Sequence, residues 1–255
     1  MIGLILGTSE GRKILSLLNN YTEDIFVSTA TDYGGEILKD YKYSYLNTKP
    51  LPLEELIYTL REKEIRQLVD ATHPYALEVT KNAIKACEAL DIEYIRYDRP
   101  SSIQKFMNEK YIVRVNDYDE LYDKLKTIEG TILNTTGSRN LDKILSMNLE
   151  NRIVHRVLPS MKVMQECFDK GIKLENLIAI KGPISYELNC AFIKEYTAKA
   201  MILKDSGIEG GTEEKLKACI DNSVYGFVIE RKPVEYKNVF TDIEELVRYL
   251  VLKHK

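Results

Sequence analysis

The chain has 255 residues, of which 44% are hydrophobic and 29% are charged, and its formal net charge is −3. This composition is typical of a globular protein with one large domain or two compact domains. The slight acidic excess argues against nucleic-acid binding, and no apolar run approaches the roughly 18 residues that cross a bilayer.

The cysteines and histidines bear on the compartment and on metal binding. The first residues carry no basic leader, so we expect a cytoplasmic protein. None of the cysteines shows Cys-x-x-Cys spacing, which predicts reduced, mostly buried thiols at Cys87, Cys167, Cys190 and Cys219. The three histidines lie apart from any cysteine pair, so we expect no metal site.

Short apolar runs alternate with amphipathic runs along the whole chain, which predicts an α/β fold with mostly parallel sheets covered by helices. In the first half, the pattern predicts strands at 2–6, 25–30, 67–71 and 92–97. It predicts helices near 12–19, 53–63 and 78–90.

Several motifs of the first half recur in the same order in the second half. Gly7 after the first strand corresponds to Gly137, and Pro100 corresponds to Pro233, at separations of 137 − 7 = 130 and 233 − 100 = 133. Nearly constant separations predict two similar domains, 1–129 and 130–255, that pack closely. The alternative is that α/β chains reuse short patterns by chance.

The first candidate site is the turn that follows the first strand and enters a helix. Backbone N–H groups and the positive end of the helix can bind a phosphate there, so its residues are candidates for cofactor binding: Gly7, Thr8, Ser9, Glu10, Gly11 and Arg12. The glycine spacing is not G-x-G-x-x-G. A tight connection in which Ser9 caps the helix is the alternative.

The end of the second strand bears on the type of cofactor. NAD-specific folds place an acidic residue near this point to hold the ribose hydroxyls. Here the segment is neutral and rich in hydroxyl groups, with Ser28, Thr29 and Thr31 as candidates, which favours NADP. The alternative is that threonine and serine merely suit a strand.

A third candidate site follows the strand at 67–71. Thr72, His73 and Pro74 are candidates for cofactor binding, and Tyr75 is a candidate for substrate binding, since open α/β sheets bind ligands at this edge. His73 and Tyr75 are also weak candidates for a catalytic role. The alternative is helix capping by Thr72 with a packed His73.

The second half carries a glycine-rich loop between a predicted strand and a helix, which lets the backbone approach an anion closely. The predicted substrate-binding residues of the second half are Gly137, Ser138, Lys204, Asp205, Ser206, Gly207, Gly210 and Gly211. Basic residues near strand ends could bind several carboxylates of one ligand: Arg96, Arg99, Arg139, Lys181, Arg231 and Lys232. A plain flexible loop and scattered surface bases are the alternatives.

In this order and over nearly the whole chain, the motifs resemble the precorrin-6A reductase family of cobalamin biosynthesis. The segments that carry the resemblance are 7–12, 70–76, 99–100, 136–138, 204–207 and 210–211. The resemblance implies two Rossmann-like domains with a ligand cleft between them. It also implies an NADPH-dependent reduction of one double bond in precorrin-6A or its cobalt form, with Arg99 among the substrate-binding residues.

The expected partner is therefore an anionic tetrapyrrole, with no nucleic acid and no membrane, and we expect a monomer or a weak homo-oligomer. Two rivals remain at this point. One is a non-catalytic, two-lobed sensor that binds a nucleotide, and the other is an NADP-dependent reductase of another small substrate.

Overall fold

The structure is a computed structural model that describes residues 1–7, 10–231 and 234–254. Its strand pairings are parallel throughout the described part of the chain. The strands are β1 (Ile2–Leu6), β2 (Ile25–Ser28), β3 (Tyr45–Asn47), β4 (Gln67–Ala71), β5 (Glu93–Tyr97), β6 (Ile112–Val115), β7 (Thr131–Asn134), β8 (Ile153–Val157), β9 (Leu177–Ala179), β10 (Ala198–Lys204), β11 (Tyr225–Ile229) and β12 (Val239–Phe240). The helices are α1 (Gly11–Leu18), α2 (Asp32–Glu36), α3 (Leu53–Glu62), α4 (Leu77–Leu90), α5 (Tyr118–Leu125), α6 (Leu141–Leu145), α7 (Met161–Asp169), α8 (Tyr186–Glu195), α9 (Thr212–Asp221) and α10 (Ile243–His254).

The predicted α/β class with parallel sheets is confirmed. The strands predicted at 2–6 and 67–71 have these bounds, whereas β2 ends two residues before the predicted limit. The predicted helices match α1, α3 and α4 with shifts of one residue at their ends. The short elements α2 and β3 were not predicted, because α2 contains two adjacent glycines and β3 is half-exposed to exposed.

The chain divides into two compact units, but the predicted boundary near residue 130 is wrong. The first unit contains Met1–Arg99 and Val234–Lys255, and the second contains Pro100–Pro233. The reason is strand pairing: β6, which precedes residue 130, pairs with β11, and β12 near the C-terminus pairs with β5. Each sequence repeat therefore gives its last strand to the sheet of the other unit.

The two sheets have the same order of strands. The first reads β12-β5-β4-β1-β2-β3 and the second reads β6-β11-β10-β7-β8-β9. The strands can be renumbered from β1 in the first sheet and from β7 in the second, with β12 and β6 counted as the sixth strand of their sheets. Both sheets then have the Rossmann order 3-2-1-4-5-6. The matched motifs Gly7 and Gly137 follow β1 and β7, which are the first strands of the two repeats.

Each sheet is covered on both faces by helices, which explains the continuous apolar strands. In the first unit, α1 and α10 cover one face, with Leu15 and Leu246 fully buried, and α3 and α4 cover the other. In the second unit, α8 and α9 pack on a face that includes Met201 and Val228. Among the described ranges, none of the helices has the length and apolar character needed to cross a membrane.

Candidate functional site

The candidate site of the first unit lies at the carboxyl edge of its sheet, between β1 and β4. The chain leaves β1 toward β2 on one side, whereas β4 lies on the other side, so this is the switch point of the sheet. Gly7 N–H donates to the Ala71 carbonyl at 3.2 Å, which ties the end of β1 to the end of β4. A Cβ atom at Gly7 would lie 3.4 Å from that carbonyl oxygen.

The turn after β1 leads into α1, as predicted, although Thr8 and Ser9 lie outside the described residues. Gly11 opens the helix, and a Cβ atom there would lie 3.1 Å from the Leu6 side chain, so glycine permits close packing of helix on strand. Arg12 is exposed. The residue at the N-cap is Glu10, and its side chain makes no capping hydrogen bond.

Glu10 and Arg99, predicted for cofactor and substrate respectively, form a buried ion pair within the first unit. Arg99 Nη2 donates to Glu10 Oε2 at 2.6 Å, and Arg99 Nε contacts Glu10 Oε1. Both side chains are nearly inaccessible. Because the guanidinium is engaged by a carboxylate of the turn after β1, the pair ties the segment after β5 to the start of α1.

Hydroxyl groups at the end of β2 are tied to the end of β3. Asn47 Nδ2 donates to Ser28 Oγ at 3.0 Å, and Thr29 N–H donates to the Asn47 carbonyl at 2.8 Å. Thr29 Oγ1 donates to the Thr31 carbonyl at 3.1 Å, and Thr31 Oγ1 caps α2 by accepting from Gly34 N–H. These bonds fix the backbone at the predicted ribose-binding end of the strand.

A cavity of about 440 Å³ opens at this end of β2. Its walls come from the ends of β2 and β3 and from the first turns of α3 and α4, with Ser28, Thr29, Lys49, Leu53 and Val79 among the lining residues. Lys49 is exposed and is a residue that sequence reasoning missed, because β3 was not recognised as a strand.

A fully buried ion pair supports the loop that follows β4. Arg96 Nη1 lies 2.9 Å from Asp70 Oδ1, and their side chains are 1% and 0% exposed. Asp70 Oδ1 also accepts from Thr72 N–H at 2.9 Å and from Thr72 Oγ1 at 2.6 Å, while Oδ2 accepts from Thr80 and Tyr94. From sequence, Arg96 is a candidate for binding the carboxylates of a ligand. In the structure, its guanidinium instead contacts Asp70 and Thr72.

The same loop carries His73, Pro74 and Tyr75. Pro74 lies in a turn three residues before α4. Tyr75 N–H donates to His73 Nδ1 at 3.3 Å, so in the neutral ring the proton resides on Nε2. The two rings are 5.7 Å apart between centroids, and both side chains are half-buried.

In the second unit, the equivalent edge begins with the end of β7. Asn134 Oδ1 accepts from Thr136 N–H at 3.1 Å and from Thr136 Oγ1 at 2.8 Å, the pattern that Asp70 and Thr72 use in the first unit. The Asn134 amide nitrogen lies 3.0 Å from His155 Nδ1. Burial lowers the pKa of His155 to about 4.

The predicted loop beyond Thr136 leaves open space for a ligand. Gly137 has a φ of 81°, and among the described residues other than its chain neighbours no atom lies within 4 Å of the position of its absent Cβ. Ser138 opens a short 3₁₀ turn before α6. The positive φ explains the glycine, since other residues rarely adopt that conformation.

The loop from Lys204 to Gly211 is held by side chains of its own unit. Lys204 Nζ donates to the Thr136 carbonyl at 2.8 Å, and Asp205 Oδ2 lies 3.2 Å from Arg231 Nε. Ser206 N–H donates to Thr212 Oγ1 at 3.0 Å. Burial, with Arg139 and Lys143 nearby, lowers the pKa of Lys204 to about 8.

Glycines shape the end of this loop. Gly207 and Gly211 have φ values of 73° and 64°, and a Cβ atom at Gly210 would collide with Ser206 Cβ. The N–H groups of Gly207, Gly210 and Gly211 donate to Asp205 Oδ1 and to the Gly207 and Ile208 carbonyls, so the loop is closed by its own hydrogen bonds near the start of α9. Lys232, another predicted base, lies outside the described residues.

The predicted residues thus gather at two sheet edges, one in each unit. Sequence reasoning included Asp70 in a motif without giving it a role, and it missed His155, Arg156 and Lys215, because each lies inside a strand or helix where composition does not reveal its environment. Among the described residues, no group of three or more His, Cys, Asp or Glu side chains is placed to hold a metal ion.

Comparison with known proteins identifies a matching family. Residues 1–251 match the family model described as precorrin-6x reductase CbiJ/CobK. The chain is 32% identical over 229 residues to a cobalt-precorrin-6A reductase of Methanocaldococcus jannaschii, covering 89% of each chain. It is also 32% identical over 255 residues to a cobalt-precorrin-6A reductase of Priestia megaterium, covering 98% of each.

A solved structure titled CobK precorrin-6A reductase has the same fold. The TM-score is 0.76, with 16% sequence identity and coverage of 98% of this chain and 96% of that chain.

The buried histidine of the second unit predicts a pH dependence of stability. The unfolded chain binds a proton at His155 below its ordinary pKa of 6.5, whereas the folded chain does so only near pH 4. The free energy of unfolding should therefore fall by about 3 kcal/mol in total as the pH drops from about 6.5 to about 4. Urea unfolding at several pH values, compared between wild type and His155→Gln, measures this contribution. Equal pH slopes for the two proteins would contradict it.

Proposed function

The chain belongs to the precorrin-6x reductase family, and from this premise we propose that it transfers a hydride from NADPH to one carbon–carbon double bond of precorrin-6A or its cobalt form. The match over residues 1–251 carries the proposal, because it includes both units. A reductase of this family implies a nicotinamide cofactor, which supplies the hydride when bound. The protein contributes binding, orientation and a proton.

The carboxyl edge of the first unit suits a dinucleotide. The start of α1 at Gly11 offers backbone N–H groups and the positive end of a helix to the pyrophosphate, while Gly7 N–H is bonded to Ala71. The cavity at the end of β2 has the size and apolar walls that an adenosine needs. In Rossmann folds, the adenosine ribose lies at this strand end.

The charges at the end of β2 favour NADPH, which carries a 2′-phosphate, over NADH. No carboxylate occupies residues 27–31, and Asp32 accepts a hydrogen bond from Thr48 Oγ1 at 2.6 Å. Lys49 lines the cavity together with Ser28 and Thr29. An ammonium beside a neutral, hydroxyl-rich strand end favours a 2′-phosphate over a bare ribose hydroxyl.

The proton that is added to the substrate after the hydride is proposed to come from the loop after β4. His73 is placed beside the switch point, since its backbone nitrogen lies 3.8 Å from the Cβ position of Gly7. Tyr75 N–H donates to Nδ1 of the neutral ring, which makes Nε2–H its donor, and delivery of a proton by this ring requires the imidazolium form. A loss of kcat in His73→Gln but not in Tyr75→Phe would support His73, and the reverse would assign the proton to Tyr75.

The substrate is assigned to the second unit. Its acetate and propionate carboxylates need cations, and Lys204 supplies one whose ammonium lies 2.8 Å from the Thr136 carbonyl, next to Gly137 and Ser138. Arg99 is also predicted from sequence to bind the substrate. Because its guanidinium is paired with Glu10, it has a smaller part in substrate binding than Lys204.

The purified protein should oxidise NADPH when cobalt-precorrin-6A or precorrin-6A is present, and not in its absence. Absorbance at the nicotinamide band, with product mass two units higher than substrate, measures the reaction. Binding of NADPH without turnover of either macrocycle would favour a sensor and overturn the proposed function. Parallel assays of the two macrocycles show whether cobalt is required.

Replacing Lys49 with alanine should weaken NADPH binding by tenfold or more and leave NADH binding nearly unchanged. The reason is the loss of a charge-assisted bond to the 2′-phosphate, about 1.5–3 kcal/mol. Fluorescence titration of the bound nicotinamide gives both dissociation constants.

Lys63→Ala is the matched control, because Lys63 is a base of the same unit whose ammonium lies over the Tyr45 ring. Equal weakening of NADPH and NADH in Lys49→Ala would place the 2′-phosphate elsewhere.

A further inference from the structure

Two basic side chains of the second unit, one half-buried and one buried, take no part in the proposed cofactor and substrate sites. Arg156 is the last but one residue of β8, and Lys215 lies in the first turns of α9. Both α8 and α9 begin at the carboxyl edge of this sheet, since each runs back toward the amino ends of the strands. The cations thus lie near two helix N-termini, which add positive potential.

The hydrogen-bond partners of these two side chains are neutral. Arg156 Nη1 donates to Asn189 Oδ1 at 3.0 Å, and Lys215 Nζ donates to the Gly210 carbonyl at 2.9 Å. Throughout the described ranges, neither side chain forms an ion pair with a carboxylate. An ammonium has three N–H donors, and Lys215 uses one of them.

The surroundings of Lys215 carry more positive than negative charge. Arg156 and Lys204 face it from β8 and β10, and Glu214 is the carboxylate nearest to it on its own helix. Burial and the two neighbouring cations lower the pKa of Lys215 to about 7. Burial likewise lowers the pKa of Arg156 to about 10.

Such an arrangement is costly without an anion. A charge removed from water needs a counter-charge, and a buried cation that lacks one destabilises the fold. Lys215 is 6% exposed, and a leucine or methionine would fill the same space without that cost. The retained charges therefore point to a negatively charged ligand at this edge.

We propose that Arg156 and Lys215 bind one carboxylate of the macrocyclic substrate, beneath the loop that carries Gly210. This inference rests on the proposed function, and it adds two residues to the substrate site. The carboxylate accepts from the unused donors of Lys215 and from the Arg156 guanidinium. Gly210, whose carbonyl accepts from Lys215 Nζ at 2.9 Å, borders this site, and the Cβ position of Gly211 lies 3.9 Å from the Ile184 carbonyl, to which Asn189 also donates.

The test uses Lys215→Met and Arg156→Met in the full-length protein. Each variant should raise the KM for cobalt-precorrin-6A by tenfold or more, while the Kd for NADPH stays within twofold and the Tm of the ligand-free protein does not fall. Lys217→Met is the matched control, because Lys217 lies on the same helix, is 54% exposed and pairs with Glu213. Its KM should equal that of wild type.

Proton uptake gives an independent readout. A bound carboxylate raises the pKa of Lys215, so at pH 8 the wild-type protein should take up more protons on substrate binding than Lys215→Met does. Calorimetry in two buffers of different ionisation enthalpy measures the difference. Arg156, Lys204 and Glu214 are the charged groups that shape this titration.

An unchanged KM in both variants would overturn the inference, and so would a KM increase that appears only together with a lower Tm. Weaker NADPH binding in these variants would also overturn it, since the site would then belong to the cofactor. These results leave the proposed function intact. Failure of wild-type turnover, by contrast, contradicts the proposed function itself.

Discussion

Between β1 and β4, and again between β7 and β10, the order of strands reverses, and this constraint of a parallel sheet determines where ligands can bind. Connections that leave neighbouring strands toward opposite sides cannot cover the gap above the strand ends. Gly7 in one unit and Gly137 in the other follow the strand that borders this gap. The loops after β4 and β10 supply the facing side.

The two edges share their geometry but differ in charge. In the first unit, the arginines near the gap are neutralised within the protein, since Arg99 pairs with Glu10 and Arg96 pairs with Asp70. What remains for a ligand there is mainly backbone N–H groups and hydroxyls, which suit a dinucleotide. In the second unit, Arg156 and Lys215 donate to neutral oxygens, and a bound anion would favour the charged form of Lys215. A duplicated fold can thus hold two different reactants.

Much of the fold followed from local patterns. The apolar run 2–6 and the glycines after it predict β1 and the start of α1, because burial on both faces and a tight turn leave a clear signature. The domain boundary could not be predicted this way. The exchange of β6 and β12 depends on pairing between strands that are far apart in the sequence. In addition, β12 has only two residues, which is too short to show a periodic pattern of apolar residues.

Candidate site residues could be predicted when they lie at the end of a strand or shortly after it, as Lys204, His73 and Gly137 do. They could not be predicted where a charged residue is buried inside an element. Lys215 stands in the run Thr212-Glu213-Glu214-Lys215, which is typical of a solvated first turn of a helix, yet tertiary packing buries its ammonium. Arg156 stands between His155 and Val157 of β8, and only the position of α8 reveals its partner.

The central claim is that the first unit binds the nicotinamide cofactor and the second binds the macrocycle. The most direct test measures the affinities of Lys204→Ala for both ligands, since Lys204 lies at the switch point of the second sheet. A lost charge-assisted bond of about 1.5–3 kcal/mol predicts a KM for the macrocycle raised about tenfold or more, with the Kd for NADPH changed far less. Loss of NADPH binding with substrate affinity intact would contradict this division between the units.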